Sequence, residues 1–239
     1  MKKFSLIIAT FLLFSTAFVS AQSLEKVLEN YFEVLGQETL LNSKNVTATG
    51  KMLQGGIEIP FKQYAAAPNK FRLEGTFQGK TFIQTYNGKE GWSLNPFAGI
   101  TEPQAMSDDE IKAVAVQADY EGMMWNWKEK GYVATLEANE EVEGADCFVV
   151  KLVSKDGDTY TTFIDAENYV TLKIKAQITM QGQEVESETL MSNYQEGDGF
   201  VYPGKMETKV NGQLQNTIVI DETVLDEELE SAIFDKPTK

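Results

Sequence analysis

Val170-Thr171-Leu172-Lys173-Ile174-Lys175-Ala176-Gln177-Ile178-Thr179-Met180 decides the fold. Its apolar residues occupy every second position, with threonine, lysine or glutamine between them. That period of two sends successive side chains to opposite faces of a strand. One face is then apolar and buried, the other polar and wet. Working back, Asp156-Gly157 sits between the apolar runs 147–153 and 159–164, and a short Asp-Gly or Asn-Gly between such runs is a strong hairpin signal. Working forward, Gly182, Gly197 to Gly199 and Asn211-Gly212 punctuate further strands up to Asp221.

The same rhythm fills the N-terminal half. Gly55-Gly56 separates 45–53 from 57–66, Pro68-Asn69 precedes 70–77, and Gln78-Gly79 and Asn87-Gly88 follow, before the short strand Trp92-Ser93-Leu94. Ile57, Ile59 and Phe61 alternate with Glu58, Pro60 and Lys62, and Phe71, Leu73 and Phe77 stand against Arg72, Glu74 and Thr76. About eleven strands joined by tight turns predict an antiparallel meander, and so wide a sheet must close or curl around something.

Two helices supply that something. Leu24, Val27, Leu28, Tyr31 and Leu35 recur at three- and four-residue spacing, widened by Phe32 and Val34, with Ser23 as N-cap and Gly36 as the stop. After Phe97 the β rhythm lapses. Ser107-Asp108-Asp109-Glu110 opens a helix whose acids suit the positive end of its dipole, and 111–119 reads apolar on nearly every side, which predicts a helix buried all round. Met123, Met124, Trp125 and Trp127 follow in the same insertion. The expected class is therefore mainly β with helices (α+β), an incomplete barrel whose concave apolar face is covered by the N-terminal and inserted helices.

Lys2 and Lys3, the apolar run 4–18 and Val19-Ser20-Ala21 describe a cleavable secretory signal. Residues 1–21 are expected to be removed, leaving 22–239 as a single domain in the periplasm, without a lipid-anchoring cysteine and without a membrane span. The chain carries 36 acidic against 21 basic residues and a net charge of −15. Such a balance repels nucleic acid and anionic headgroups, so any protein partner at a membrane is expected to be basic.

Catalytic chemistry is poorly provided for. With no histidine, the commonest general base and metal ligand is missing, and Ser-His-Asp and Cys-His arrangements cannot be built. Cys147, the only cysteine, lies within an apolar run and reads as a buried thiol. Acid pairs such as Glu140/Glu141 and Asp156/Asp158 suit solvated faces and turns. No phosphate loop is present, and no cofactor, metal or catalytic residue is expected.

Pro68-Asn69-Lys70-Phe71, followed by Asn87-Gly88-Lys89, Trp92 and Asn95-Pro96-Phe97, in this order after a helix and two strands, resembles the lipoprotein-carrier family of LolA and its acceptor relative LolB. The motif is confined to 68–97, while the helix–meander–insertion plan extends over nearly all of 22–239. The resemblance implies an incomplete antiparallel barrel with helices across its mouth and an apolar cavity that holds lipoprotein acyl chains in transit toward the outer membrane. It departs at Ala67, where the carrier has the arginine that latches its lid. Arg72 lies in the next strand.

On this reading the cavity is lined by Leu28, Phe32, Ile59, Phe61, Phe71, Leu73, Phe82, Trp92, Leu94 and Phe97, under a lid of Ile111, Val114, Met123, Met124, Trp125 and Trp127. The protein would act as a monomer on lipid or lipoprotein acyl chains. Burying about fifteen methylenes at ~0.8 kcal/mol each gives roughly 12 kcal/mol, so a greasy cavity needs no polar recognition to compete with water. The same aromatic residues would equally fill a dry core. A lipid sensor or scaffold of the same fold, acting through a protein partner, and a hydrolase working with carboxylates alone stand as alternatives.

Overall fold

The computed structural model describes residues 22–180 and 182–238. The expected secretory signal, 1–21, lies outside them. Ser23 caps the first helix, α1 (Leu24–Leu35), its hydroxyl accepting the Lys26 N–H, and Gly36 ends it in the left-handed region at φ 68°. Gly36 is needed there twice over, because a Cβ at this position would stand 2.3 Å from the Gly199 carbonyl oxygen. A second short helix, α2 (Gln37–Asn42), follows directly.

The strands are β1 (Asn45–Gln54), β2 (Ile57–Ala66), β3 (Lys70–Phe77), β4 (Lys80–Tyr86), β5 (Gly91–Asn95) and β6 (Ile100–Ala105), then the helix α3 (Asp108–Gln117), then β7 (Val133–Val142), β8 (Ala145–Val153), β9 (Thr159–Asp165), β10 (Thr171–Met180), β11 (Gln183–Gly197), β12 (Phe200–Val210) and β13 (Gln213–Leu225). All thirteen form one antiparallel sheet in the order β6-β5-β4-β3-β2-β1-β13-β12-β11-β10-β9-β8-β7. The sheet is open, with β6 and β7 at its edges. It holds two more strands than the sequence count. It is also two meanders rather than one, fused where the first strand pairs the last, Val46 opposite Leu225 and Met52 opposite Ile218.

That pairing sends β6 and β7, neighbours in the chain, to opposite edges of the sheet. Their connection must cross back, and it does so through α3 and the turns that follow. The face on which α1 and α3 pack is the inner face. Against α1, Val150, Leu152, Tyr160 and Ile164 form a buried cluster with Val27, Leu28 and Met124. Under α3, Phe71 and Tyr86 meet Val114 and Ala118. Between these, Ala48, Phe61 and Ile220 gather Met52, Leu73, Met206 and Ile218.

The outer face carries its own small core of Val142, Cys147, Val149 and Phe163, with Leu172 against it. The ammonium of Lys173 lies 4.1 Å from the centre of the Phe163 ring, so the lysine stem covers aromatic surface while its charge stays wet. Here the stretch 170–180 departs from strict alternation. The register steps between Thr171 and Lys173, so Leu172 joins the outer cluster, while Thr171 is buried inside with its hydroxyl on Tyr31. A bulge of this kind adds one residue to one strand and leaves two of them opposite a single partner residue. The expected all-round burial of α3 is likewise corrected. Its start is as read, with a full Ser107–Glu110 capping box, but Lys112 and Gln117 are exposed and only Val114 is buried within it.

Candidate apolar binding site

At the end of the inner face reached by the β1–β2, β3–β4 and β5–β6 turns, Met52, Ile57, Ile59, Phe77, Phe82 and Phe97 enclose a cavity of about 380 Å³ with only Gln54 and Asn95 as polar neighbours. The local sequence builds it step by step. The Gly55-Gly56 turn fixes the hairpin register so that Gln54 faces Ile57 and Met52 faces Ile59. Gly75 opposes Phe82, and the phenyl ring lies across the space a Cβ would occupy, 2.5 Å from it. The Asn95 side chain accepts the N–H groups of Phe97 and Ala98, at 3.2 and 3.3 Å, and so fixes the short turn Pro96–Ala98. The Phe97 ring is thereby held 6.3 Å from that of Phe77. No charged side chain lines this cavity, so it is suited to hydrocarbon and to no proton transfer.

Two further openings flank the insertion. Leu28, Phe32, Met124, Trp125 and Trp127 border one of about 300 Å³ between α1 and the turns after α3, where the Phe32 and Trp125 rings meet edge to face at 4.9 Å. Ala115, Val116, Met123 and Tyr132, facing the Pro68-Asn69 turn, border another of about 390 Å³, which Asp119, Glu121 and Lys130 also line. A further opening, about 460 Å³, is on the outer face, between Arg72, Glu74 and residues 230–238.

The insertion is held down at both ends. At its N-terminal end Lys112 of α3 reaches Asp158 at 2.8 Å and Asp156 at 3.0 Å on the β8–β9 turn. Asp158 is only 3 % exposed and also accepts the Thr179 N–H at 3.0 Å. Burial alone would raise its carboxyl, but the hydrogen bonds from Lys112 and Thr179 together with the lysine charge outweigh it and hold the pKa below its ordinary value. The same two aspartates push the Lys112 ammonium up. Beyond α3, the Tyr120 and Ser43 hydroxyls are 2.5 Å apart, the Gln37 amide donates to the Glu121 carbonyl at 2.9 Å, and the Tyr120 N–H bonds Pro68. Lys130 closes the segment on Asp119 at 2.7 Å. Ala67 is exposed, and Arg72 points to the outer face, where it binds Glu74 and the Ile233 carbonyl. Ties of tyrosine, glutamine and lysine thus hold the insertion.

Of the residues expected to line a cavity, Ile59, Phe82 and Phe97 meet at the 380 Å³ site, and Leu28 and Phe32 at the opening beside α1. Phe61 and Phe71 are buried against protein, and Leu73 packs between their two clusters. Trp92 and Leu94 require correction. They pair with Thr85 and Ile83, while Gly91 pairs with the inner Tyr86, so both sit on the outer face. Apolar character is no guide there because the C-terminal segment packs on that face, with Phe234 buried and the Asp235 carbonyl bonded to Thr85. Of the lid residues, Val114 and Met124 are buried, Ile111 packs beside Val114, and Met123 and Trp127 pack on the α1 cluster. Met52, Ile57 and Phe77 belong to the site and escaped the sequence reading, although the hairpin register counted from Gly55-Gly56 points to the first two.

Among the described residues, no three histidine, cysteine, aspartate or glutamate side chains are grouped to hold a metal, and no helix is long and apolar enough to cross a membrane. Fold and site together define a LolA-like open barrel, an antiparallel sheet wrapped around helices with apolar space on its inner face. Similar architectures are a DUF1329 family protein from Desulfovibrio piger (13 % identity, TM-score 0.62, covering 87 % of this chain and 97 % of that one) and a LolA superfamily protein from Nitrosomonas europaea (14 %, 0.61, 90 % and 99 %). A Vibrio parahaemolyticus domain described as outer membrane lipoprotein-sorting is also similar (12 %, 0.58, 87 % and 97 %). Residues 71–238 match a family described as "Uncharacterized protein", and the chain belongs to that family. No curated protein matches the sequence.

Proposed function

We propose that the protein is a non-catalytic carrier that holds an acyl chain of a lipid or lipoprotein on its inner face and moves it through the periplasm toward the outer membrane. The observation that carries this reading is the charge-free cavity of Met52, Ile59, Phe77, Phe82 and Phe97, about 380 Å³ in volume and within the roughly 300–1,000 Å³ typical of ligand sites. Its lining offers hydrocarbon and aromatic faces and nothing that could polarise a bond. The opening beside α1 extends the apolar surface available when the insertion lifts, so Trp125, Trp127, Met123 and Met124 act as its adaptable cover. Residues 1–21 act as the export signal and 22–239 as one carrying domain, monomeric and without cofactor.

Displacement of an apolar fluorescent dye by palmitate tests the reading. The expected result is stoichiometric uptake, lost in Met52→Trp, whose indole fills the cavity from one wall. Absence of uptake by the folded native protein, together with no lipid in mass spectra of protein purified from its envelope, would end the carrier reading and leave a scaffold.

A further inference from the structure

Among the described residues, the large hydrophobic side chains that stand out to solvent are Val34, Leu53, Ile57, Phe97, Val133, Leu214 and Val224. Singly scattered ones need no explanation. Four of these are not scattered. Leu53, Ile57, Phe97 and Leu214 sit at or beside the β1–β2, β5–β6 and β12–β13 turns, and the pairing of Leu53 with Thr217 places the last of these turns next to the first. All lie at the end of the sheet where the apolar cavity opens, and Ile57 and Phe97 belong to both rim and cavity.

Charge singles out the same end. The turn segments there, 54–57, 77–80, 95–100 and 210–214, contain no acid and one lysine, in a chain with 36 acids. Lys80 holds its ammonium 5.9 Å from the Phe97 ring. At the opposite end of the sheet the connections carry Glu90, Glu143, Glu167, Asp198 and the run Asp226-Glu227-Glu228, while Asp156 and Asp158 of the β8–β9 turn lie at the cavity end but across the sheet, near its β7 edge. Glu58, opposite Leu53, stands beside these turns but is paired with Lys51 at 3.3 Å, so a protein whose surface otherwise repels anionic headgroups presents one acid-poor, apolar-tipped corner.

We infer that this corner is a contact surface for a phospholipid bilayer, with Leu53, Ile57, Phe97 and Leu214 entering the headgroup region and Lys80 beside a phosphate. The inference rests on the carrier reading and says how cargo enters. An acyl chain that crossed water to reach the cavity would expose nearly all of its methylenes, whereas a cavity mouth pressed on the bilayer lets it slide between two apolar phases. Leu53 and Leu214 lie outside the cavity, so contact and storage are separable.

Flotation of the purified protein with vesicles of phosphatidylethanolamine and phosphatidylglycerol tests it. The native protein should float, and Leu53→Ser/Leu214→Ser should bind about tenfold more weakly while still taking up the dye. Gln78→Glu/Gln213→Glu, which keeps size and shape, should weaken binding to these vesicles and leave binding to pure phosphatidylcholine vesicles unchanged. Met52→Trp should float like the native protein, so that failed storage and failed contact read out separately. A native protein that stays with the soluble fraction, or rim variants that float undiminished, would overturn the inference. So would sedimentation showing a native dimer that Leu53→Ser/Leu214→Ser splits, since the corner would then join two copies of the chain.

Discussion

Replacing Asp158 by asparagine tests whether charge pins α3 across the inner face. The carboxylate is almost fully buried and accepts from Lys112 at 2.8 Å and from the Thr179 N–H at 3.0 Å. A hydrogen bond to a charged group contributes about 1.5–3 kcal/mol, and breaking a fully buried pair costs more. Lys112, however, keeps 43 % of its side chain in solvent and retains Asp156 at 3.0 Å, and the new amide oxygen can still accept from Thr179. Screening of the exposed partner brings the expected cost of Asp158→Asn down to about 1–2 kcal/mol. In a chain of this size about 1 kcal/mol moves Tm by roughly 2–4 °C, so the variant should melt some 2–8 °C lower at neutral pH.

The pH profile decides the cause. The folded Asp158 carboxyl sits below its ordinary value of 3.8, so the unfolded chain takes up the proton first as pH falls. The stabilisation is complete above about pH 5, where the carboxyl is ionised in both states, and drains away as pH drops through the unfolded value and then the depressed folded one. Melting curves of native protein and variant should therefore run parallel from pH 8 to about 5 and converge in stronger acid. A gap that stays constant down to pH 2.5 would refute the electrostatic account, as would a gap absent at pH 7.

Gly36→Ala should destabilise the protein by more than the roughly 1 kcal/mol of a strained left-handed alanine, because the added Cβ meets the backbone of Gly199 and Phe200, which cannot swing aside; urea unfolding reads the loss. Phe163→Ala should cost about 3–5 kcal/mol, since its ring is 2 % exposed under Lys173, while leaving dye uptake by the surviving folded fraction intact, as the ring faces away from the cavity. A native-like midpoint for Phe163→Ala would show the outer cluster to be loosely packed.

The turns were the legible part of this chain. Gly55-Gly56, Gln78-Gly79, Asp156-Gly157 and Asn211-Gly212 each sit where two strands reverse, and each combines a short connection with backbone at positive φ, which glycine adopts freely and asparagine tolerates. The caps of α1 and the capping box of α3 were legible for the same local reason. What failed was long-range. Trp92 and Leu94 were assigned a face from their chemistry, but the face is set by a register running from Tyr86–Gly91, and a C-terminal segment buries the far side. Strand β6, with Thr101, Glu102 and Gln104, has no apolar alternation because it is an edge strand with little to bury. The bulge at Leu172 is invisible to a periodicity count, which has no way to register one extra residue. The cavity was half legible: Ile59 and Phe77 follow from alternation, while Met52 joins them only through pairing across strands and Phe97 through the turn Pro96–Ala98.

One pairing governs the rest. Had β13 not closed on β1, the chain could have run as a single meander, and β6 would lie beside β7 with a tight turn between them. Because Val46 to Leu53 bind the last strand instead, the sixth and seventh strands are driven to opposite edges, and the chain between them has to traverse the concavity. A covering helix at this point of the sequence is thus a consequence of topology, and sequence is free to set only how firmly it is held. Val114 anchors it to β3 and β4, Lys112 to the β8–β9 turn, and Tyr120 to the ledge of Ser43. The two polar anchors lie at the rims and the apolar one between them, so the covering segment can loosen at either end without exposing the Phe71–Tyr86 core. That division separates access to the apolar face from the stability of the sheet, as the proposed carrier role requires.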